Sequence, residues 1–400
     1  VVRAKWGKGV IVVMYIDYSK YPFALSQREL VELYVERPSV LASRDATLRE
    51  KLSIIVKEII ERGELPYNAC SSIEECVLLY YTILDLAKAI GDKWFQNRVA
   101  LVYSKYASRS MVQESPEKLL LLGRKLGLEV LLVSGEPDIP KIPMVSKSGK
   151  VVRFVPCEFA VSVLSYLRVV SRRLIHDQSY NLINNIVKNG YVYLDQKTYQ
   201  RVLEEAVLNT ILSTIEESSP PLGLEEFTRL VADIKKLLVE GRREQYVEPI
   251  EKEKTQVAVK IELKSGELPI IEDLFPPCIT RIISILRSGG NPSHVERFNL
   301  AAFLGSIGLD VDSVLEYFKT SADFNEKIAR YQVEHILGIR GGKKKYLPYS
   351  CEKMRTSGIC PIQEQCKGGK NPVAVYKYNI RKYLKTSKEN KDADKAAGGI

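Results

Sequence analysis

Four cysteines in the last third of the chain constrain its folding more than any other feature. Cys278 is followed by Cys351 after 72 intervening residues, by Cys360 after 8 more and by Cys366 after a further 5. Each lies beside residues that interrupt regular structure. Pro276-Pro277 precede the first and Pro348 lies near the second; Gly358 and Pro361 flank the third, and Gly368-Gly369 follow the last. Cysteines packed for bulk sit within apolar helix faces. A metal centre instead needs sulfurs aimed inward from turns, where backbone amides can also reach them. Four thiolates suit either a structural zinc or an iron–sulfur cluster. Zinc is commonly gripped by CxxC-like knuckles, and the chain has no CxxC. One distal and three clustered cysteines therefore favour the larger cluster, with zinc still open on spacing alone. Cys70, Cys76 and Cys157 have no ligand neighbour at useful spacing and read as ordinary packed thiols. With no export signal in view, disulfides are not the default reading.

Charge is distributed unevenly. Of the net +10, residues 278–400 supply +9, from 21 Lys+Arg against 12 Asp+Glu. Such asymmetry points to a polyanion partner for the C-terminal part. A length of 400 residues predicts two or three domains. No apolar run reaches the roughly 18 residues that span a bilayer. The run Gly9–Met14 is short and is followed by an acidic, tyrosine-rich stretch with no small-residue cleavage site, so neither a membrane partner nor a signal peptide is expected. The chain opens on valine; residues 1–13 read as an upstream or added segment, with Met14 an alternative beginning.

The predicted fold is mainly α with a small α/β portion, in two domains. Residues 14–240 form the first. Ser26 with Glu29 and Ser72 with Glu75 have capping-box spacing, Gly91 stops the helix that begins near Ile73, and Pro116 opens another through Leu126. Short strands are predicted at 129–133, 151–155 and 190–195, with Asp195 capping the next helix. Helices are predicted at 157–173, 197–215 and 224–240. Residues 241–266 lose periodicity and read as a linker, although 256–263 could form an isolated strand. The second domain, 267–385, is helical. Leu300, Phe303, Leu304 and Ile307 follow the i, i+3, i+4, i+7 pattern, Asp310 or Asp312 caps the next helix, and another spans 325–337. Residues 386–400 read as a disordered lysine-rich tail.

Several segments resemble the archaeal and eukaryotic DNA primase large-subunit family. They are Pro277-Cys278-Ile279, Arg297–Gly308, Asp323-Phe324, Tyr331–Gly338, Tyr346–Cys351 and Gly358–Pro361. In the first half, Asp17–Phe23 and Gly190–Asp195 are similar to the archaeal branch, so the likeness runs from Met14 to about Lys385. The resemblance implies that Cys278, Cys351, Cys360 and Cys366 ligate one 4Fe–4S cluster. It implies a regulatory, non-catalytic subunit that docks a small catalytic primase subunit through its N-terminal domain. The C-terminal domain would bind template DNA and the 5′ end of the RNA primer, helping the first bonds to form and limiting primer length. A cytoplasmic, nucleoid-associated location follows from that role.

The residues themselves agree that the polymerising chemistry lies elsewhere. Phosphoryl transfer needs clustered carboxylates around two metals. Within 267–385 the one Asp-x-Asp is Asp310-Val311-Asp312, which helix capping explains. No G-x-x-x-x-G-K-[ST] loop exists, which disfavours an ATP-driven helicase. Candidate nucleic-acid contacts centre on Arg340-Gly341-Gly342-Lys343-Lys344-Lys345, where glycines admit a phosphate close to the backbone and the cations neutralise it. The family motif places His335 near the bound 5′ triphosphate, with Arg330 on the same surface, although Glu334 stands where eukaryotic relatives carry a base. Arg297 and Arg355 are further candidates, each of which could instead pair with acids of its own domain. Tyr346 and Tyr349 could stack on bases or pack around the cluster.

Overall fold

A computed structural model describes residues 2–5, 11–133, 138–145, 151–174, 177–245, 270–342, 344–362, 366–367 and 369–397. The chain divides into two compact units, essentially before and after residue 247.

The first unit opens with an antiparallel hairpin, β1 (Val2–Lys5) and β2 (Ile11–Met14), over residues expected from sequence to be an added segment. Helices α1 (Gln27–Leu33), α2 (Pro38–Arg44), α3 (Ala46–Glu61), α4 (Ile73–Ile90), α5 (Lys93–Met111) and α6 (Pro116–Lys125) follow. Their starts obey local chemistry. The Ser26 and Glu29 side chains form the reciprocal box at α1. At α4 the Ser72 hydroxyl accepts from the Glu75 amide, but the Glu75 carboxylate accepts from Ser71 rather than Ser72, so only half of the predicted box forms. Gly91 ends α4 at φ 74°, a left-handed conformation that glycine adopts without Cβ strain.

After α6 come β3 (Val130–Leu132), β4 (Lys141–Val145), β5 (Val151–Pro156), β6 (Phe159–Ser162), α7 (Val163–Val170), β7 (Ile186–Lys188) and β8 (Tyr191–Leu194). The antiparallel sheet β3-β6-β8-β7 has β6 and β8 as its inner strands, and β4 and β5 form a separate hairpin. The helix predicted over 157–173 is thus wrong in its first part. Phe159-Ala160-Val161-Ser162 is buried at every position, and a short fully buried run carries no periodicity that separates strand from helix. Asp195 caps α8 (Gln196–Glu217) by accepting from the Thr198 amide. The Tyr199 ring of α8 stacks on Phe159 of β6 at 4.0 Å, which fastens sheet to helices. Helix α9 (Glu225–Gln245) runs past the predicted stop at Gly241, because Arg242-Arg243-Glu244 are good helix formers. Residues 246–266 of the predicted linker lie outside the described residues.

Cys70 and Cys76 are disulfide-bonded, with Cα atoms 5.1 Å apart, which corrects the expectation that both are plain packed thiols. The bond ties the loop before α4 to its first turn, across the Ser72 cap. Spacing could not reveal it, since the loop must fold back before the sulfurs meet. Cys76→Ser is expected to cost the first unit about 2 kcal/mol, through the freer unfolded chain. Chemical denaturation with and without reductant checks this; an unchanged midpoint would show that the bond constrains nothing.

The second unit packs α10 (Pro277–Arg287), α11 (His294–Ser306), α12 (Val311–Lys319), α13 (Glu326–Ile336), α14 (Cys351–Thr356) and α15 (Pro372–Ala397). Phe275, Phe303 and Tyr376 meet edge-to-face at its centre, with centroids 5.1, 5.2 and 5.7 Å apart. Asp310 caps α12 through the Ser313 amide, settling the choice left between it and Asp312. Helix α15 continues to Ala397, where a disordered tail from 386 was predicted. Between Pro372 and Ala397 the sequence has no Gly or further Pro to stop it, and its Lys, Ala and Glu residues favour helix.

Candidate metal centre and nucleic-acid surface

The proline pair before Cys278 sets that residue's position. Pro276 is the N-cap and Pro277 the first helical residue of α10, where a missing amide costs nothing. Cys278 follows in the first turn, 5% exposed. Cys351 opens α14, whose start is capped by Ser350 accepting from the Lys353 amide. The Cys351 amide donates to the Lys370 carbonyl at 2.8 Å, closing the loop that carries Cys366 back onto α14. After α14 the chain turns at Gly358, φ 69°. The Ile359 and Cys360 amides then both donate to the Met354 carbonyl. Buried Met354 and Ile359 pack into the core from this turn.

The result is convergence. Burial first, then the neighbouring Cys360, Cys351 and Cys366, push the Cys278 thiol up to about 12. Burial, Cys366 and Cys360 raise Cys351; burial and Cys360 raise Cys366. Every pair among the four thus lies close enough to interact electrostatically, and all four carry free thiols. Among the described residues no three or more His, Cys, Asp or Glu side chains are already arranged to hold a metal ion. Four free thiols in one unit, with no histidine among them, are a donor set whose chemistry fits an iron–sulfur cluster or an all-thiolate zinc. Cys157, the remaining free thiol, is fully buried in the first unit, as a packed cysteine should be.

The cationic candidates separate into two groups. Arg297 is occupied by the fold: its guanidinium meets Asp323 at 2.6 Å and donates to the Pro292 carbonyl at 3.0 Å. Arg330 pairs with Asp312 at 2.8 Å and Glu326 at 3.1 Å, so Asp312 serves as its partner and Asp310 as the cap. Arg340 pairs with Glu334 at 3.0 Å and lies over the Tyr331 ring. Arg355 sits on α14 beside Cys351 and Cys366, where its charge favours their thiolates. Lys344 and Lys345 are exposed and have no ion-pair partner among the described residues. Lys343 lies outside them.

His335 stacks on Tyr346 with centroids 5.6 Å apart, and Tyr346 and Tyr349 both pack on Phe298. Gly341 lies against His335; a Cβ there would stand 3.1 Å from the imidazole. The glycine therefore serves close packing as well as any approach by a ligand. Lys353 lies 3.8 Å over the Tyr349 ring.

Three polar residues around the cysteines were not predicted from sequence: Arg281, Glu296 and Asn299. Glu296 and Asn299 are almost wholly buried. In sequence Glu296 shows as the acid of a capping-box spacing with Ser293, and Asn299 as a polar residue one turn on within an apolar helix face.

Fold and site together define a basic, four-cysteine helical domain in a chain with a second helical unit and a small antiparallel sheet. Residues 269–393 match the family described as the C-terminal domain of the eukaryotic and archaeal DNA primase large subunit. Over 371 residues the chain is 30% identical to the DNA primase large subunit PriL of Methanococcoides burtonii, covering 90% of this chain and 91% of that one. It is 31% identical to that of Thermoplasma acidophilum over 80% of this chain and 85% of the relative. With that of Methanocella arvoryzae it shares 27% identity across 92% and 90%. The chain belongs to the archaeal DNA primase large-subunit family. No helix among the described residues is long and apolar enough to cross a membrane.

Proposed function

We propose that the chain is the regulatory, non-catalytic large subunit of a DNA primase and carries one 4Fe–4S cluster on Cys278, Cys351, Cys360 and Cys366. In this reading residues 14–240 dock the small catalytic subunit. Residues 267–385 hold template DNA and the 5′ end of the nascent RNA primer, so that the first bonds form and primer length is set. The observation that carries the proposal is the convergence of four free thiols in the unit that also holds nearly all the excess positive charge. A bound cluster supplies a multivalent crosslink between segments that share little secondary structure, and a redox-active centre. The chain's own residues do the rest. The exposed lysines at 344–345 offer counter-charge to phosphates, and the His335–Tyr346 stack holds an imidazole beside the same loop.

Anaerobic purification with iron, sulfide and zinc analysis tests the cofactor. Stoichiometric zinc in a colourless protein would favour a nucleic-acid-binding subunit of another repair or transcription complex. Co-purification with a small primase subunit, and primer initiation measured with and without this chain, test the role. Unchanged initiation without stable pairing would overturn it.

The lysine loop gives a separate expectation. Lys344→Ala with Lys345→Ala should weaken DNA binding and make the salt dependence shallower by about 0.7–0.9 in log–log slope for each phosphate no longer neutralised. Binding titrations at several salt concentrations measure this, and an unchanged slope would show both lysines to be solvated only.

A further inference from the structure

Helix α11 carries two buried polar side chains that its apolar packing does not require. Glu296 is 3% exposed and Asn299 0%. They stand three residues apart, on one face of the helix, and each reaches a cysteine-bearing segment. The Asn299 Oδ1 accepts the Tyr349 amide at 2.7 Å, two residues before Cys351, while its Nδ2 donates to the Val295 carbonyl at 2.8 Å. One Glu296 carboxylate oxygen accepts from the Ser293 amide and hydroxyl at 2.8 and 2.9 Å, closing the α11 cap. The other lies 3.7 Å from Arg281 Nη1. That nitrogen donates to the Gly358 and Ile359 carbonyls at 3.1 and 2.9 Å, immediately before Cys360. Arg281 itself follows Cys278 by three residues on α10, so the two share a helix face.

These contacts form one connected brace. A guanidinium tied to the turn before Cys360 faces a buried carboxylate on α11, and the amide one turn along α11 holds the segment before Cys351. Buried polar groups are costly to leave unpaired; here Arg281 and Asn299 are spent on backbone atoms of loops with little regular structure of their own, and Glu296 sets its charge beside Arg281 from the α11 cap. Loops bearing ligands otherwise adjust freely, and outer hydrogen bonds are what hold ligands at binding geometry.

We propose that Arg281, Glu296 and Asn299 are positioning residues that set the placement of Cys278, Cys351 and Cys360 for the bound centre. The proposal rests on the iron–sulfur reading above. It is tested on the full chain, purified anaerobically, by the rate of iron release to a ferrous chelator and by the visible and electron-paramagnetic spectra of the iron retained. Arg281→Met and Asn299→Leu are expected to release iron about tenfold faster or more, the scale on which outer-shell ligand partners act. Both should shift the spectra of the remaining centre. Arg281→Lys, which keeps the charge but loses the planar fork, should fall between. Arg287→Met is the control, since that residue lies on the same helix but pairs with Glu272 at the surface. A merely structural role would lower thermal stability and leave the spectra of retained iron unmoved. Iron held equally by wild type and all variants, with unchanged spectra, overturns the brace alone. Iron absent from the wild-type chain overturns the cluster reading, and the brace falls with it. Should Asn299→Leu not fold, the Arg281→Lys comparison with wild type still decides the matter.

Discussion

Cys360→Ser is expected to strip the second unit of the proposed metal centre and to lower its unfolding temperature by on the order of 10 °C or more. The reasoning starts from how little else holds that turn. Cys360 follows Gly358 and Ile359, whose amides donate to the Arg355 and Met354 carbonyls and whose own carbonyls accept from Arg281. Beyond it, among the described residues, the thiol donates to the Ile362 carbonyl at 3.4 Å. A hydroxyl in place of the sulfur is a poor ligand for iron or zinc, and three thiolates hold a four-ligand centre less tightly. Because unfolded chains lack a formed site, the binding energy of a structural centre is folding energy. Metal analysis and calorimetry of the anaerobic protein check the expectation. Full metal content with an unchanged transition would show that Cys360 is not a ligand. Cys157→Ser is the informative contrast, since Cys157 lies in the first unit and should leave metal content untouched.

Phe303→Ala is expected to destabilise the second unit by about 3–5 kcal/mol, the range for removing a large buried aromatic. Phe303 is fully buried on α11. Its ring meets Phe275 at 5.1 Å and Tyr376 at 5.7 Å, and those two meet each other at 5.2 Å. The residues come from three stretches: the approach to α10, α11 and α15. Alanine would leave a cavity that three helices cannot close without moving together, and it would forfeit two edge-to-face contacts. The consequence for the site is indirect, since α10 and α11 carry Cys278 and the brace residues. Denaturant titration should show a lower midpoint at an unaltered slope, while Tyr383→Ala, 48% exposed on α15, should change stability by no more than about 0.5 kcal/mol. Equal effects at the two positions would contradict a core centred on the three rings.

Features that depend on three or four neighbouring residues were readable before any fold was known. Ser26 and Asp195 cap helices as their spacing predicts, Asp310 does so as one of two candidates, Pro116 starts a helix and Gly91 ends one. The partners in each case lie within one turn, so the local chain contains the whole interaction. The four cysteines belong to the same class in part. Their flanking prolines and glycines marked them as turn residues, which holds for Cys360 after the turn at Gly358, whereas Cys278 and Cys351 lie in the first turns of helices α10 and α14. The mainly helical character and the small sheet were legible for a related reason, since apolar periodicity is a local property.

Tertiary packing decided the rest. Whether Phe159–Ser162 becomes strand or helix depends on β3 and β8 arriving on either side of it, which no short window reports. The guanidinium of Arg297 is claimed by Asp323, 26 residues away, and that of Arg330 by Asp312, 18 residues away. For Arg297 the sequence left such pairing open; for Arg330 nothing in it announced the partner. Lys344 and Lys345 keep their charge open to solvent because no acidic side chain among the described residues folds against them. The cysteine pattern, then, proposes a common site by itself. Which side chains hold it in place is a matter of long-range contact, because a buried charge or amide is stable only where the fold delivers its partner.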